Sequence, residues 1–244
     1  MTRRILATSG GFVPGPVHRS YRLGAMLLDA LRLTGKARPR VCLVETASGD
    51  DVAYYAALYE DFNAAGCEVT DLRLFPQPSG SPDERLGGSD LVWVGGGSVA
   101  NLLALWRLHG VDEAMRAAWE SGTILAGVSA GSLCWHTGGT TDSFGPLLQP
   151  VTNGLGLVPF ANGVHYDSES QRRPLLQQLM REGVLSPRAI ATDDHVGVLY
   201  ENDEPVEVLT DFAVDPTTGP AAYYLELSSS GLVETRWAPG RRPS

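Results

Sequence analysis

At 244 residues, 43% hydrophobic and 19% charged, the chain has room for one large core and is short for two. Its net charge of −9 argues against nucleic acid and anionic membranes as partners. No run is long enough to span a bilayer, and no apolar segment after Arg3-Arg4 has the form of a signal peptide, so a cytoplasmic protein is expected.

Short apolar runs alternate with amphipathic stretches. Arg4 to Ser9 reads as a strand ending in glycines, and Val17 to Leu33 as a helix with Leu23, Met26, Leu27, Ala30 and Leu31 at helical spacing. Arg40 to Glu45 is a second strand, Val52 to Ala65 a helix stopped by Gly66, and Glu68 to Leu74 a third strand. After a Pro/Ser/Gly loop from Pro76 to Pro82, a fourth strand, Asp90 to Val94, runs into Gly95-Gly96-Gly97. Helices over Val99 to Leu108 and Val111 to Ser121 lead to a fifth strand, Thr123 to Val128, and then a helix over Ala130 to His136. The second half is less regular. Leu147 to Pro159 reads as loop with short strands and Arg172 to Glu182 as a helix. Ala189 to Thr192, Val196 to Tyr200, Val206 to Thr210 and Ala221 to Leu227 read as short strands, several of them antiparallel. The pattern predicts a single α/β domain over residues 1–238. It should be a doubly wound, mostly parallel sheet with helices on both faces and extra antiparallel strands late in the chain, followed by a flexible tail over 239–244.

Ligands of such sheets bind beyond the carboxyl ends of the strands. Gly10-Gly11, Gly95 to Gly97 and Gly127-Val128-Ser129-Ala130-Gly131 all sit at such ends, which places them around one cleft. The last has the G-x-S-x-G form of a nucleophile elbow, between a strand and a helix where that motif belongs. N–H groups at the helix start can hold a developing negative charge. A serine hydroxyl also needs a base, and the base an orienting partner. Of five histidines, His18 and His109 sit in helical stretches, and His136 points along the elbow helix rather than at the serine. His165 and His195 each lie at the end of an apolar segment, where a base can face the cleft. Cys42, Cys67 and Cys134, widely spaced and outside any metal-binding pattern, read as buried free thiols.

Three segments in this order and spacing resemble the peptidase E family of serine peptidases, the aspartyl dipeptidases with a class I glutamine amidotransferase-like (flavodoxin-like) fold. They are Val94-Gly95-Gly96-Gly97-Ser98, Gly127-Val128-Ser129-Ala130-Gly131-Ser132 and Val164-His165-Tyr166-Asp167. Thr140-Thr141-Asp142 and Asp193-Asp194 fall where the family has further motifs, and the likeness runs from about residue 5 to 200. The resemblance implies Ser129 as nucleophile, His165 as general base, and the Gly97 and Ala130 N–H groups as oxyanion hole. Asp194 stands where the family has a glutamate, and Asp142 at an acidic position also suited to the third triad role. Asp194 is favoured because a strand end can hold an acid rigidly behind an imidazole; Asp142 remains the alternative. Ser98 replaces the family's usual asparagine, a departure that bears on substrate preference.

The implied substrate is a dipeptide with an N-terminal aspartate, whose carboxylate needs a cation in the cleft. Arg172, Arg173 and Arg19 are the candidates, since arginine grips a carboxylate bidentately. No cofactor or metal is expected. The expected partner is a small peptide, and the chain is either a monomer or a homodimer. Two other readings stay open. One is an ester-cleaving α/β-hydrolase using Ser129, Asp167 and His195 in that chain order. The other is a ligand-binding member of the same fold.

Overall fold

A computed structural model describes residues 2–16 and 21–241. The first strand, β1 (Arg4–Thr8), is followed by a short hairpin of β2 (Phe12–Pro14) and β3 (Tyr21–Leu23), then α1 (Ala25–Leu33). The helix expected from Val17 therefore starts at Ala25: Gly24 is extended, and residues 21–23 pair with 12–14 instead. Apolar Leu23 falls on the helical spacing yet belongs to the strand, so periodicity alone could not mark the boundary. Val17, His18 and Arg19 lie outside the described residues.

The alternating half continues with β4 (Arg40–Val44), α2 (Val52–Ala64), β5 (Glu68–Asp71), a short α3 (Pro82–Leu86) and β6 (Leu91–Val94). It closes with α4 (Val99–His109), α5 (Val111–Ser121), β7 (Ile124–Val128) and α6 (Ala130–Leu133). Side-chain caps fix two helix starts. Asp51 accepts from the Ala53 and Tyr54 N–H groups, and Ser98 Oγ from Asn101. The second half contributes β8 (Gly138–Thr141), β9 (Gln149–Val151), β10 (Ala161–Gly163), α7 (Arg172–Arg181) and β11 (Arg188–Thr192). It ends with β12 (Val196–Glu201), β13 (Glu204–Thr210), β14 (Ala222–Ser228), β15 (Gly231–Trp237) and β16 (Gly240–Arg241).

The main sheet has the order β16-β13-β12-β1-β7-β6-β4-β5. Its β1, β7, β6, β4 and β5 run parallel, and β12, β13 and β16 extend it antiparallel. Taken from β4, the parallel strands follow the flavodoxin-like 2-1-3-4 order, with the N-terminal strand β1 in the fifth place. Alternate residues of each strand face opposite layers. Leu6, Leu43, Trp93 and Ala126 pack on α1 and α2, whereas Ala7, Val44, Val94 and Leu125 pack on α4 and α5. Complete burial of each leucine or valine among them contributes roughly 1.5–3 kcal/mol, which is what holds both helical layers on the sheet.

The late strands do more than extend that sheet. A second sheet of order β15-β14-β11-β10-β8-β9 packs on the same side as α4 and α5, its Val151 and Ile190, with Phe160 just before β10, joining the shared core. Its outer face is covered by Leu176, Leu179 and Met180 of α7. Cys42, Cys67 and Cys134 are buried free thiols. Among the described residues no helix is long and apolar enough to cross a membrane.

His136 is fully buried, its Nδ1 2.8 Å from the Ser132 carbonyl oxygen and its Nε2 3.1 Å from the Tyr200 hydroxyl. Burial lowers its pKa from 6.5 to about 4. The unfolded chain thus takes up a proton on this side chain before the folded protein does. The resulting stability is complete above pH 6.5 and is lost as pH falls toward 4. Glu45, whose pKa is raised from 4.5 to about 8 by burial and then by Asp50, acts in the opposite sense, losing stability as pH rises from 4.5 toward 8. Urea denaturation of wild type and His136→Gln at pH 7 and pH 4.5 separates the two. The variant should lose about 2 kcal/mol less than wild type over that interval, and equal losses would show that His136 titrates normally in the fold.

Candidate active site

The backbone of Ser129 has φ 54° and ψ −109°, a conformation costly for any residue with a β-carbon. Its neighbours hold it there. The Ser129 N–H donates to Thr8 O at 3.0 Å, and its carbonyl accepts from the Ser132 and Leu133 N–H groups. The glycines of the motif are required by close approach: a Cβ on Gly127 would lie 2.4 Å from Gly131 O, and one on Gly131 would lie 2.2 Å from Val94 O. The elbow thus presses directly on the end of β6, and the serine side chain is lifted toward the open end of the sheet. Among the described residues Ser129 Oγ makes no hydrogen bond, and the Gly97 and Ala130 N–H groups have no acceptor.

His165 and Asp194 come from neighbouring parallel strands. The register sets Gly163 of β10 against Ala191 of β11, and the chain continues from these strands to His165 and Asp194. There His165 Nδ1 lies 2.6 Å from Asp194 Oδ1. With Nδ1–H donating to the carboxylate, Nε2 carries the lone pair of the neutral ring. Asp194 is itself oriented, its N–H donating to Asp167 Oδ1 at 2.9 Å. His165 also has a positive φ of 51°, and its N–H donates to Ser9 Oγ at 3.1 Å.

Ser9 was not singled out by the sequence reading. Its hydroxyl lies 2.7 Å from Thr192 Oγ1, its N–H donates to Val196 O and its carbonyl accepts from His195 N–H. Thr8 holds Ser129, and Ser9 holds His165. Two consecutive residues at one strand end therefore anchor serine and histidine from different sheets. A single Thr-Ser dipeptide gives no sequence signal for this, because both partners are more than a hundred residues away.

The remaining candidates fall elsewhere. Asp142 is in an exposed turn beside a surface depression with Glu169 and Gln171. Ser98 is engaged as the α4 cap. Arg172 is 2% exposed, paired with Glu169 and donating to Thr140 O. Arg173 is ion-paired with Glu234 and lies over the Tyr166 and Tyr223 rings. The order Ser129, Asp167, His195 is not assembled as an esterase triad: Asp167 bonds the Asp194 N–H, and His195 Nδ1 faces Asp211 at 3.5 Å.

A crevice of about 420 Å³ opens beside Ser129, walled by Gly95 and Gly96, Trp93, Phe12 and Leu58. Glu45, a residue the sequence reading treated only as a strand end, lies in its wall and is 3% exposed. Among the described residues no group of three or more His, Cys, Asp or Glu side chains is placed to hold a metal ion.

Residues 5–208 match the model of peptidase family S51. The chain belongs to that family. This S51 chain is 33% identical over 234 residues to the uncharacterized peptidase YgaJ of Bacillus subtilis (strain 168), covering 96% of each. It is 27% identical over 117 residues to peptidase E of Shewanella denitrificans, covering 48% of each. The crystal structure of a peptidase from an acI-B1 Actinobacterium superposes with a TM-score of 0.66 at 14% identity, covering 98% of this chain and 96% of that one. The S51 chain is accordingly a peptidase with the fold read from its sequence.

The contact between the elbow and β6 yields a direct expectation for stability. Gly131→Ala should lower the unfolding free energy by about 3 kcal/mol, because the added methyl meets backbone rather than a side chain able to move. An unchanged urea midpoint would mean that Val94 and Gly131 do not approach as closely as described.

Proposed function

We propose that this peptidase is of the serine type, cleaving short peptides through Ser129, His165 and Asp194. The observation that carries the reading is the 2.6 Å His165–Asp194 pair, suspended from Ser9, next to the residue that suspends the strained Ser129. A substrate in the crevice brings its scissile carbonyl to Ser129 Oγ. His165 Nε2 removes the hydroxyl proton as the Oγ–C bond forms. The carbonyl oxygen takes the negative charge and accepts from the Gly97 and Ala130 N–H groups, which have no other acceptor among the described residues. The protonated His165 then gives its proton to the leaving amine as the C–N bond breaks. A water, deprotonated in turn by His165, releases the acid product and restores the serine. Asp194 keeps the ring in the required tautomer and stabilises the imidazolium that forms twice in each cycle. The serine–histidine hydrogen bond is one that closes with substrate in place, as catalytic hydrogen bonds commonly do.

The finer expectation of an N-terminal aspartate comes from the family resemblance, with Arg172, Arg173 and Arg19 as the cations for its carboxylate, and Arg19 lies outside the described residues. The Arg172 and Arg173 guanidinium groups are both engaged by acids of the fold, so nothing at these two residues favours an acidic substrate.

A fluorophosphonate probe tests the chemistry without knowledge of the substrate. Wild type should be labelled on Ser129, and Ser129→Ala and His165→Ala should not. On a cleaved peptide, Ser129→Ala and His165→Ala should lose about 10⁴-fold or more in kcat/KM, and Asp194→Asn about 10³–10⁴-fold. Asp142→Asn should stay within about threefold of wild type, since about 0.7 kcal/mol is all that an exposed turn residue is expected to contribute. Loss with Asp142→Asn and retention with Asp194→Asn would reverse the choice of acid, and an unlabelled wild type would sink the serine mechanism. Ser9→Ala should label at least tenfold more slowly, because the His165 main chain loses its anchor. A rate equal to wild type would remove Ser9 from the site.

A further inference from the structure

This inference deepens the peptidase reading and rests on it. In the main sheet the strand order reverses between β4 and β6, since β5 lies on one side of β4 and β7 on the far side of β6. Open α/β sheets bind ligands at such a switch point, outside the carboxyl ends of the strands. The crevice beside Ser129 occupies that place. Glu45 follows β4, Gly95 and Gly96 follow β6, and Ser129 follows β7.

Two features give the crevice a chemical identity. Phe12, Trp93, Leu58 and Val128 make most of its wall apolar. Glu45 interrupts that wall, and its Oε1 is buried with no hydrogen-bond partner. A buried carboxyl oxygen without a partner is costly and calls for one the fold does not supply. Its position is tied to the reaction centre: a Cβ on Gly95 would lie 2.0 Å from Glu45 Oε2, and one on Gly96 would lie 3.4 Å from Ser129 Cβ. The carboxyl therefore occupies the space that a side chain at 95 would fill, one residue from the turn that flanks the nucleophile. In a peptide held for attack, the α-nitrogen of the acyl residue is only two bonds, roughly 2.5 Å, from the carbonyl carbon.

We propose that the crevice receives the N-terminal residue of the substrate, its free α-ammonium on Glu45 and an aromatic or branched aliphatic side chain against Phe12, Trp93 and Leu58. The preferred substrates are then dipeptides and short peptides with an unblocked, apolar first residue. An acylated amine brings no cation to Glu45. Glu45, mostly protonated at neutral pH in the empty crevice, gives up its proton as the ammonium arrives, and an N-terminal aspartate brings a further carboxylate toward that ionised Glu45 and toward Asp61, which also lines the crevice.

The test reads binding apart from turnover. In a Ser129→Ala background, calorimetry compares Phe-Ala, Leu-Ala, Asp-Ala and N-acetyl-Phe-Ala. Phe-Ala and Leu-Ala should bind at least about tenfold more tightly than the other two. Adding Glu45→Gln should bring Phe-Ala to within about threefold of its acetylated form. Adding Ala57→Trp, on the exposed side of α2 at the crevice mouth, should weaken Phe-Ala at least about tenfold by filling the space without disturbing the core. Equal or tighter binding of Asp-Ala, indifference to acetylation, or unchanged affinity in Ala57→Trp overturns the assignment. Wild-type turnover of the same peptides separates the two readings. Binding as expected with no cleavage of any peptide sinks the peptidase mechanism and leaves the pocket standing. Faster cleavage of Asp-Ala than of Phe-Ala sinks the pocket and leaves the mechanism standing.

Discussion

Thr8 and Ser9 are buried polar residues at the end of the central strand β1, and each must find its hydrogen-bond partners inside the protein. Thr8 satisfies the Ser129 N–H with its carbonyl and the Gly127 carbonyl with its hydroxyl. Ser9 reaches into the second sheet, to Thr192 and the His165 N–H. A strand end that must satisfy partners on both sides fixes the spacing between them. The relative placement of the elbow and the histidine loop is thus a consequence of pairing buried polar groups rather than of any contact between the two side chains.

The same end of the sheet gathers several unfavourable features. Ser129 and His165 both hold positive φ, Glu45 is buried without a partner for one oxygen, and the Gly97 and Ala130 N–H groups point at no acceptor of the described chain. They have counterparts elsewhere among the described residues: Asp50, His195 and Asn202 also hold positive φ, and Trp119 Nε1, Trp135 Nε1, Thr140 Oγ1 and Asp211 Oδ1 are buried with no hydrogen-bond partner. What distinguishes this end is that the strained Ser129 and the unpartnered Glu45 oxygen line one crevice, where a ligand can supply the missing partner.

Much of this was legible in the sequence. The parallel strands β4, β6 and β7 are short, continuous apolar runs, and their burial on both faces makes such runs readable without knowledge of their neighbours. The second sheet was harder. Its β8 is Gly138-Gly139-Thr140-Thr141 and its β10 is Ala161-Asn162-Gly163, segments without the apolar pattern of a strand. They are strands because their neighbours pair with them. The hairpin of β2 and β3 was hidden for a related reason, since Leu23 sits on the spacing of the helix that follows.

The sequence by itself determined the elbow and the glycine triplet, because both are local: a strand end, a tight turn and small residues within a few positions. It also marked His165 and Asp194 as residues at segment ends. Tertiary structure alone decided that these two meet, that Ser9 anchors the histidine, and that Arg172 and Arg173 are engaged by Glu169 and Glu234. It alone brought Glu45 beside Ser129, from a strand more than eighty residues earlier. The division follows from what sets each feature. Backbone conformation is written in neighbouring residues, whereas the partner of a charge is chosen by register and sheet order, which link positions that carry no mark of one another.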